Sequence, residues 1–140
     1  MTAPAGGPEV QGVRGIGVDA VDVGRFRRVL ERRPALVTRL FTESEQAYAR
    51  RARDPGARLA ARFAAKEAVL KALGVGIGAA AFREVEVVRG PEGEPRVQLW
   101  GRAASLAAGR GVDGWHVSLT HTDALAVASV VAVGGGGPGS

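Results

Sequence analysis

The chain has 140 residues, 46% of them apolar, and its nineteen basic and fourteen acidic side chains leave a net charge of +5. That length suits one domain with a real hydrophobic core, and the sequence shows neither an apolar run of membrane-spanning length nor a charged-then-apolar leader, so a soluble cytoplasmic protein is expected. With no cysteine and only two histidines, disulfide scaffolds, zinc knuckles, iron–sulfur clusters and thiol nucleophiles are excluded, and any metal must be held by oxygen.

Residues 1–12 are small and polar and are expected to form a disordered tail, as is the glycine-rich stretch 134–140; the span between them, 13–133, reads as a single folded domain. Val13 to Val18 predicts a short strand ending near Asp19. Phe26, Val29 and Leu30 predict a helix over 24–33, with Arg25, Arg28 and Arg32 sharing the opposite face. A short helix follows over 36–41, and Thr42-Glu43-Ser44-Glu45 has the pattern of a capping box that starts another. After the turn Asp54-Pro55-Gly56, Ala57 to Leu73 is the strongest helix signal in the chain, with Leu59, Phe63, Leu70 and Leu73 on one stripe and Gly74 as its stop. Alternation over 84–89 and 96–100 around a Gly-Pro-Glu-Gly turn predicts a hairpin, and a helix over 102–110 follows. Two strands, 115–119 and 125–133, close the chain, the second apolar enough to expect burial on both faces. The order of elements implies an α+β fold.

Residues 25–62 carry eleven arginines against Glu31, Glu43, Glu45 and Asp54, so the basicity is one patch, suited to an acidic partner that charge alone does not choose: nucleic acid, a membrane surface or an acidic protein. Solvated helix faces would give the same pattern. Seventeen of the nineteen basic residues are arginine; the two lysines, Lys66 and Lys71, flank Glu67. Glu67 sits on or beside the apolar stripe of the long helix, where a carboxylate needs a cation or takes up a proton, although a Glu67–Lys71 helix pair is the ordinary alternative. Asp19 stands where a sheet strand ends, a usual place for a functional carboxylate and equally for a helix cap. Together Asp19 and Glu67 offer two hard oxygen ligands suited to magnesium, with Arg62, Lys66 and Lys71 as cations for phosphate and Gly74-Val75-Gly76 as mobile backbone beside them. Ser118, His121 and Asp123 lack a nucleophile elbow, so His121 and Thr122 read better as donors to a phosphate than as parts of a triad.

Gly15-Ile16-Gly17-Val18-Asp19, then Arg62-Phe63-Ala64-Ala65-Lys66-Glu67-Ala68 with Lys71, then Val117-Ser118-Leu119-Thr120-His121-Thr122, resemble in order and spacing the holo-[acyl-carrier-protein] synthases, the AcpS-type 4′-phosphopantetheinyl transferases. The resemblance runs over residues 13–133. It implies the fold of that family, an antiparallel sheet against a long central helix and shorter helices. It also implies magnesium-dependent transfer of phosphopantetheine from coenzyme A to a serine of apo acyl carrier protein, with release of adenosine 3′,5′-bisphosphate. Carried over residue by residue, Asp19 and Glu67 are metal ligands, Glu67 and Lys71 catalytic, and Arg62, Lys66, Lys71, Gly74, Gly76, His121 and Thr122 close to coenzyme A. Arg25, with Arg28 and Arg32, would meet the acidic carrier protein, and the family implies a homotrimer with active sites between neighbours. No membrane or nucleic acid enters this reading. Val75 replaces a threonine common in the family. The alternatives are an arginine-patch nucleic-acid-binding module, for which seven aromatics form no stacking stripe, and a magnesium-dependent phosphohydrolase using the same carboxylates.

Overall fold

The computed structural model describes residues 12–135. The chain opens with strand β1 (Gly12–Asp22) and continues through helices α1 (Val23–Arg32), α2 (Ala35–Leu40), α3 (Glu43–Arg50) and α4 (Pro55–Ala72). A 3-10 turn (Phe82–Glu84) leads into strands β2 (Val85–Arg89) and β3 (Pro95–Leu99), helix α5 (Gly101–Gly109), and strands β4 (Gly114–His121) and β5 (Leu125–Gly134). All pairing is antiparallel: β5 lies between β1 and β4 in a three-stranded sheet, and β2 and β3 form the expected hairpin.

α4 is the axis of the molecule. It is buried on nearly every side, through Ala60, Ala61, Ala64, Ala65, Ala68 and Ala72 as well as Leu59, Val69 and Leu70, so the single apolar stripe read from its sequence understates its burial. Small side chains let the sheet come close. A Cβ at Gly15 or Gly17 would overlap the carbonyl oxygens of Ala72 or Ala68, so the two glycines of the Gly-Ile-Gly stretch are what lets β1 lie against α4. Beyond Arg58, the surface left to α4 is the strip formed by half-buried Phe63 and Glu67 and exposed Lys71, spaced four residues apart.

Several boundaries differ from expectation for reasons of pairing. β1 does not end near Asp19: it pairs with β5 as far as Asp22↔Leu125, because β5 supplies backbone partners three residues further than the apolar run suggests. The cap of α1 is therefore Asp22, whose Oδ1 accepts from the Arg25 amide at 2.8 Å, which frees Asp19 from that role. β5 is buried on one face only. Ala126, Ala128, Val130 and Ala132 face α4, whereas Leu125 and Ser129 are exposed and Val127 and Val131 half-buried. Of the expected tails, Gly12 and Gly134 are strand residues paired with one another; the rest, apart from Gly135, lies outside the described residues.

The capping box at Thr42 is present, and its Glu45 does more than cap. Oε1 accepts from the Thr42 amide at 2.9 Å and from Lys66 Nζ at 2.8 Å, while Oε2 accepts from the Val87 amide at 2.9 Å. Lys66 also donates to the carbonyls of Phe82 and Val85, and neither ionic side chain is exposed. Burial pushes the Lys66 ammonium below its ordinary range, and the Glu45 charge opposes that. This pair ties α3, α4 and β2 together. Among the described residues, no helix is long and apolar enough to cross a membrane.

Candidate active site

The close contact of β1 with α4 brings Asp19 beside Glu67 and Lys71. Lys71 Nζ donates to Asp19 Oδ1 at 2.7 Å and to the Val18 carbonyl at 3.0 Å, which lifts the Lys71 pKa. Asp19 Oδ2 is buried with no hydrogen-bond partner among the described residues. Burial first, then the hydrogen bond and the charge of Asp19, push Glu67 up to about 7, with Lys71 pulling the other way. The two carboxyl groups are thus crowded together, and one oxygen is left without a donor among the described residues. Crowded oxygens of this kind fit a hard divalent cation. Among the described residues no group of three or more His, Asp or Glu side chains converges; two carboxylates are a donor set that magnesium accepts when water and phosphate oxygens fill the octahedron.

Two hollows meet at Glu67. One, of about 190 Å³, is lined by Glu67, Lys71, Gly76 and Ile77. The other, of about 530 Å³, is mostly apolar, with Phe26 and Phe63 stacked at 5.1 Å and Phe63 and Phe82 at 5.2 Å along its wall, and Asp22 and Arg25 among the residues lining it. Arg25, Arg28 and Arg32 stand exposed along α1, while Arg27 on the same helix turns to Asp54 at 2.6 Å. Gly74, at φ +72°, ends α4, its amide bonding the Lys71 carbonyl while the Val75 amide bonds that of Leu70; its first role is to terminate the helix.

Arg62 lies on another side of α4, about 140° around the helix from Glu67 at 3.6 residues per turn. It lines a third cavity, of about 210 Å³, together with His121. Thr122 is exposed at the end of β4, where its Oγ1 accepts from the amides of Ala124 and Leu125 at 3.2 and 3.1 Å, leaving the hydroxyl proton free to donate. Lys66 departs from expectation. Read from sequence as a coenzyme A contact, it is 0% exposed and committed to Glu45, because on a helix buried nearly all round its position faces α3 and β2 rather than solvent. Tyr48, Arg58 and Arg89 escaped the sequence reading although they surround Arg62. Arg58 had a local signal, being four residues before Arg62 on one helix; Tyr48 and Arg89 arrive by tertiary contact alone.

The sequence matches the description "4′-phosphopantetheinyl transferase superfamily" over residues 15–128. It is 50% identical over 124 residues to the holo-[acyl-carrier-protein] synthase of Clavibacter sepedonicus, covering 89% of this chain and 98% of that one. The fold is similar to that of the Neisseria meningitidis holo-[acyl-carrier-protein] synthase, with a TM-score of 0.79, 32% identity, and coverage of 86% and 98%. It is likewise similar to the Bacillus anthracis enzyme solved in complex with CoA (3′,5′-ADP), with a TM-score of 0.72, 30% identity, and coverage of 89% and 99%.

Proposed function

The chain belongs to the 4′-phosphopantetheinyl transferase superfamily and is a phosphopantetheinyl transferase, and from that premise we propose that it moves phosphopantetheine from coenzyme A to a serine of an apo acyl carrier protein, in a magnesium-dependent reaction that releases adenosine 3′,5′-bisphosphate. The observation that carries the reading is the Asp19–Glu67–Lys71 cluster, with its unpartnered carboxylate oxygen and a second carboxyl near neutrality, open to two hollows. Asp19 and Glu67 would hold magnesium, which when bound supplies charge neutralisation for the donor's pyrophosphate.

The chain's own groups do the rest. In the reaction, the serine Oγ–phosphorus bond forms at the β-phosphorus, the pyrophosphate P–O bond breaks, and the serine proton must leave. With Glu67 engaged in holding the metal, that proton passes to water in the hollow beside it. The Lys71 ammonium, oriented by Asp19 and the Val18 carbonyl, faces the charge that builds on the leaving phosphate. Arg25, Arg28 and Arg32 present an exposed positive edge beside the cavity that reaches Glu67, which supports docking of an acidic carrier protein there.

The homotrimer with shared sites gains support from two features. Arg62 and His121 line a different cavity from Glu67 and Lys71, an arrangement that suits a donor held between two chains. The outer face of the three-stranded sheet exposes Val13 at 67%, Ile16 at 69% and Val18 at 58%, an apolar surface suited to burial against another copy. The cytoplasm, where coenzyme A and carrier proteins meet, is the expected compartment.

Intact mass spectrometry of an apo acyl carrier protein, incubated with this protein and coenzyme A, tests the reading. A phosphopantetheine mass gain is expected with magnesium and not with chelator. No gain across several carriers with folded protein would overturn it, and coenzyme A turnover without any carrier would indicate a phosphohydrolase. Light scattering at micromolar concentration should give three times the chain mass; a monomer would count against shared sites.

A further inference from the structure

Helix α1 is held to the molecule near its start. Val23 and Phe26 are buried, whereas from Arg27 to Arg32 no residue is, and it is this second half that carries Arg28 and Arg32 of the exposed basic edge. Arg27 lies roughly 130° around the helix from that edge, on the side of Val23 and Phe26. Among the described residues it alone of the α1 arginines forms an ion pair, its Nη2 donating to Asp54 Oδ2 at 2.6 Å. Asp54 is the N-cap of α4, and its other oxygen accepts from the Ala57 amide at 3.2 Å. The hydrogen bond from Arg27, then that from the Ala57 amide, holds the Asp54 carboxyl below its ordinary range. A Cβ at Gly56 would meet Arg27 Nε at 3.0 Å and Cγ at 3.4 Å, so the arginine lies against the first turn of α4 in the space a side chain there would fill. One carboxylate therefore starts α4 and tethers α1 to it.

Half-buried Val29 and Leu30 give the second half of α1 apolar contact, which is not directional, whereas a hydrogen-bonded ion pair fixes an angle. We propose that Arg27 and Asp54 are positioning residues for the acceptor protein. The pair locks the docking helix to the start of the helix that carries Glu67 and Lys71, so that an acidic carrier seated on Arg25, Arg28 and Arg32 presents its serine at the catalytic cluster. The inference rests on the carrier docking along that edge. An exposed pair contributes little to stability, so its effect is read in carrier use rather than in unfolding.

The test measures KM for apo acyl carrier protein and for coenzyme A, with kcat and melting temperature, in the wild-type protein, Arg27→Gln, Asp54→Asn and Arg27→Lys. Asp54→Asn is decisive. Asparagine caps a helix as well as aspartate does, so α4 keeps its start, and the change removes a negative charge near the basic edge, which by attraction alone would lower KM for an acidic carrier. Positioning predicts the opposite sign. KM for the carrier should rise about 2- to 5-fold in both Asp54→Asn and Arg27→Gln, with kcat, KM for coenzyme A and melting temperature near wild type. The double variant should be no worse than either single one, since each already removes the pair. Arg27→Lys keeps a cation that can donate to Asp54 and should stay close to wild type. A carrier KM that is unchanged or lowered in Asp54→Asn, or a rise matched by KM for coenzyme A, would overturn the inference. Arg25→Glu separates that failure from failure of the docking reading: if it raises carrier KM and Asp54→Asn does not, the edge stands and the tether falls; if neither variant moves carrier KM, the carrier docks elsewhere and both fall.

Discussion

Lys66 and Glu67 are neighbours on one helix and belong to opposite regimes. Lys66 is wholly buried and fully bonded, to Glu45 and to the Phe82 and Val85 carbonyls; Glu67, one residue on, is half-open, is pushed up to about 7 by burial and by Asp19, and lies beside an Asp19 oxygen that has no partner among the described residues. Each region sets a lysine against carboxylate. What separates them is completeness: a polar network with every group satisfied holds the fold in place, and one with a gap has capacity for a ligand. The comparison breaks most sharply on activity. Asp19→Ala and Glu67→Ala should each cut carrier modification by about 10³-fold or more while circular dichroism and the melting transition stay near wild type. Full activity in either variant would place the chemistry elsewhere.

The converse belongs to Lys66. Lys66→Met leaves the Glu45 carboxylate buried without its cation, and a broken buried pair costs about 3–5 kcal/mol. Denaturant unfolding should show that loss. Replacing both partners together, Glu45→Gln with Lys66→Met, should recover part of it. A Lys66→Met variant of wild-type stability and reduced activity would move Lys66 from the fold to the site.

Between these two lies the backbone that brings the open region together. Gly17→Ala places a methyl against the Ala68 carbonyl and must push β1 off α4, at about 1–3 kcal/mol for overpacking. Asp19 travels with β1, so activity should fall more than stability alone explains. Gly12→Ala, where a Cβ meets nothing within 4 Å, is the matched control and should leave both unchanged.

The same contrast explains what the sequence made legible. The open region was half announced: a carboxylate on the best helix violates the rules of burial unless a cation or chemistry justifies it, whereas Asp19 after a Gly-Ile-Gly strand read equally well as a helix cap. The long helix, the hairpin and the capping box followed from local signals that α4, β2–β3 and Thr42 obey. Lys66 misled for the complementary reason: its counter-ion is Glu45, twenty-one positions earlier, and the capping pattern that flagged Glu45 says nothing of the further donors its two oxygens accept from. The Arg62 cavity was half legible. Arg62 and Arg58 lie on a helix read correctly and His121 at the end of a strand read two residues too short, but Tyr48 and Arg89 meet them only when α3 and the hairpin fold back on α4. Asp19 seemed to end a strand because the apolar run stops there, whereas strand length was set by backbone pairing with β5.

The smallest effect is the most diagnostic of the open region. Glu67 holds its proton more tightly in the folded chain, near 7, than in the unfolded one, whose ordinary value is 4.5. With chelator present, the folded state therefore carries more protons than the unfolded state between those two values, and stability falls as pH rises through that window. Asp54, Glu86 and Glu94 are shifted down, so what they contribute is lost on acidification through and below their ordinary range and opposes the decline only at the acid edge of this window. Lys71 is shifted up and stays protonated in both states throughout it. The decline from pH 4.5 to 7 should amount to about 1 kcal/mol or less once solvent screening of a half-open group is counted. Glu67→Gln should flatten it. Magnesium should reverse its sense, since the ion takes the place the proton leaves: the rise in melting temperature on adding the metal should be larger at pH 7.5 than at pH 5.5. A decline that survives Glu67→Gln would put the proton on another group, and the two sides of α4 would then differ in packing alone.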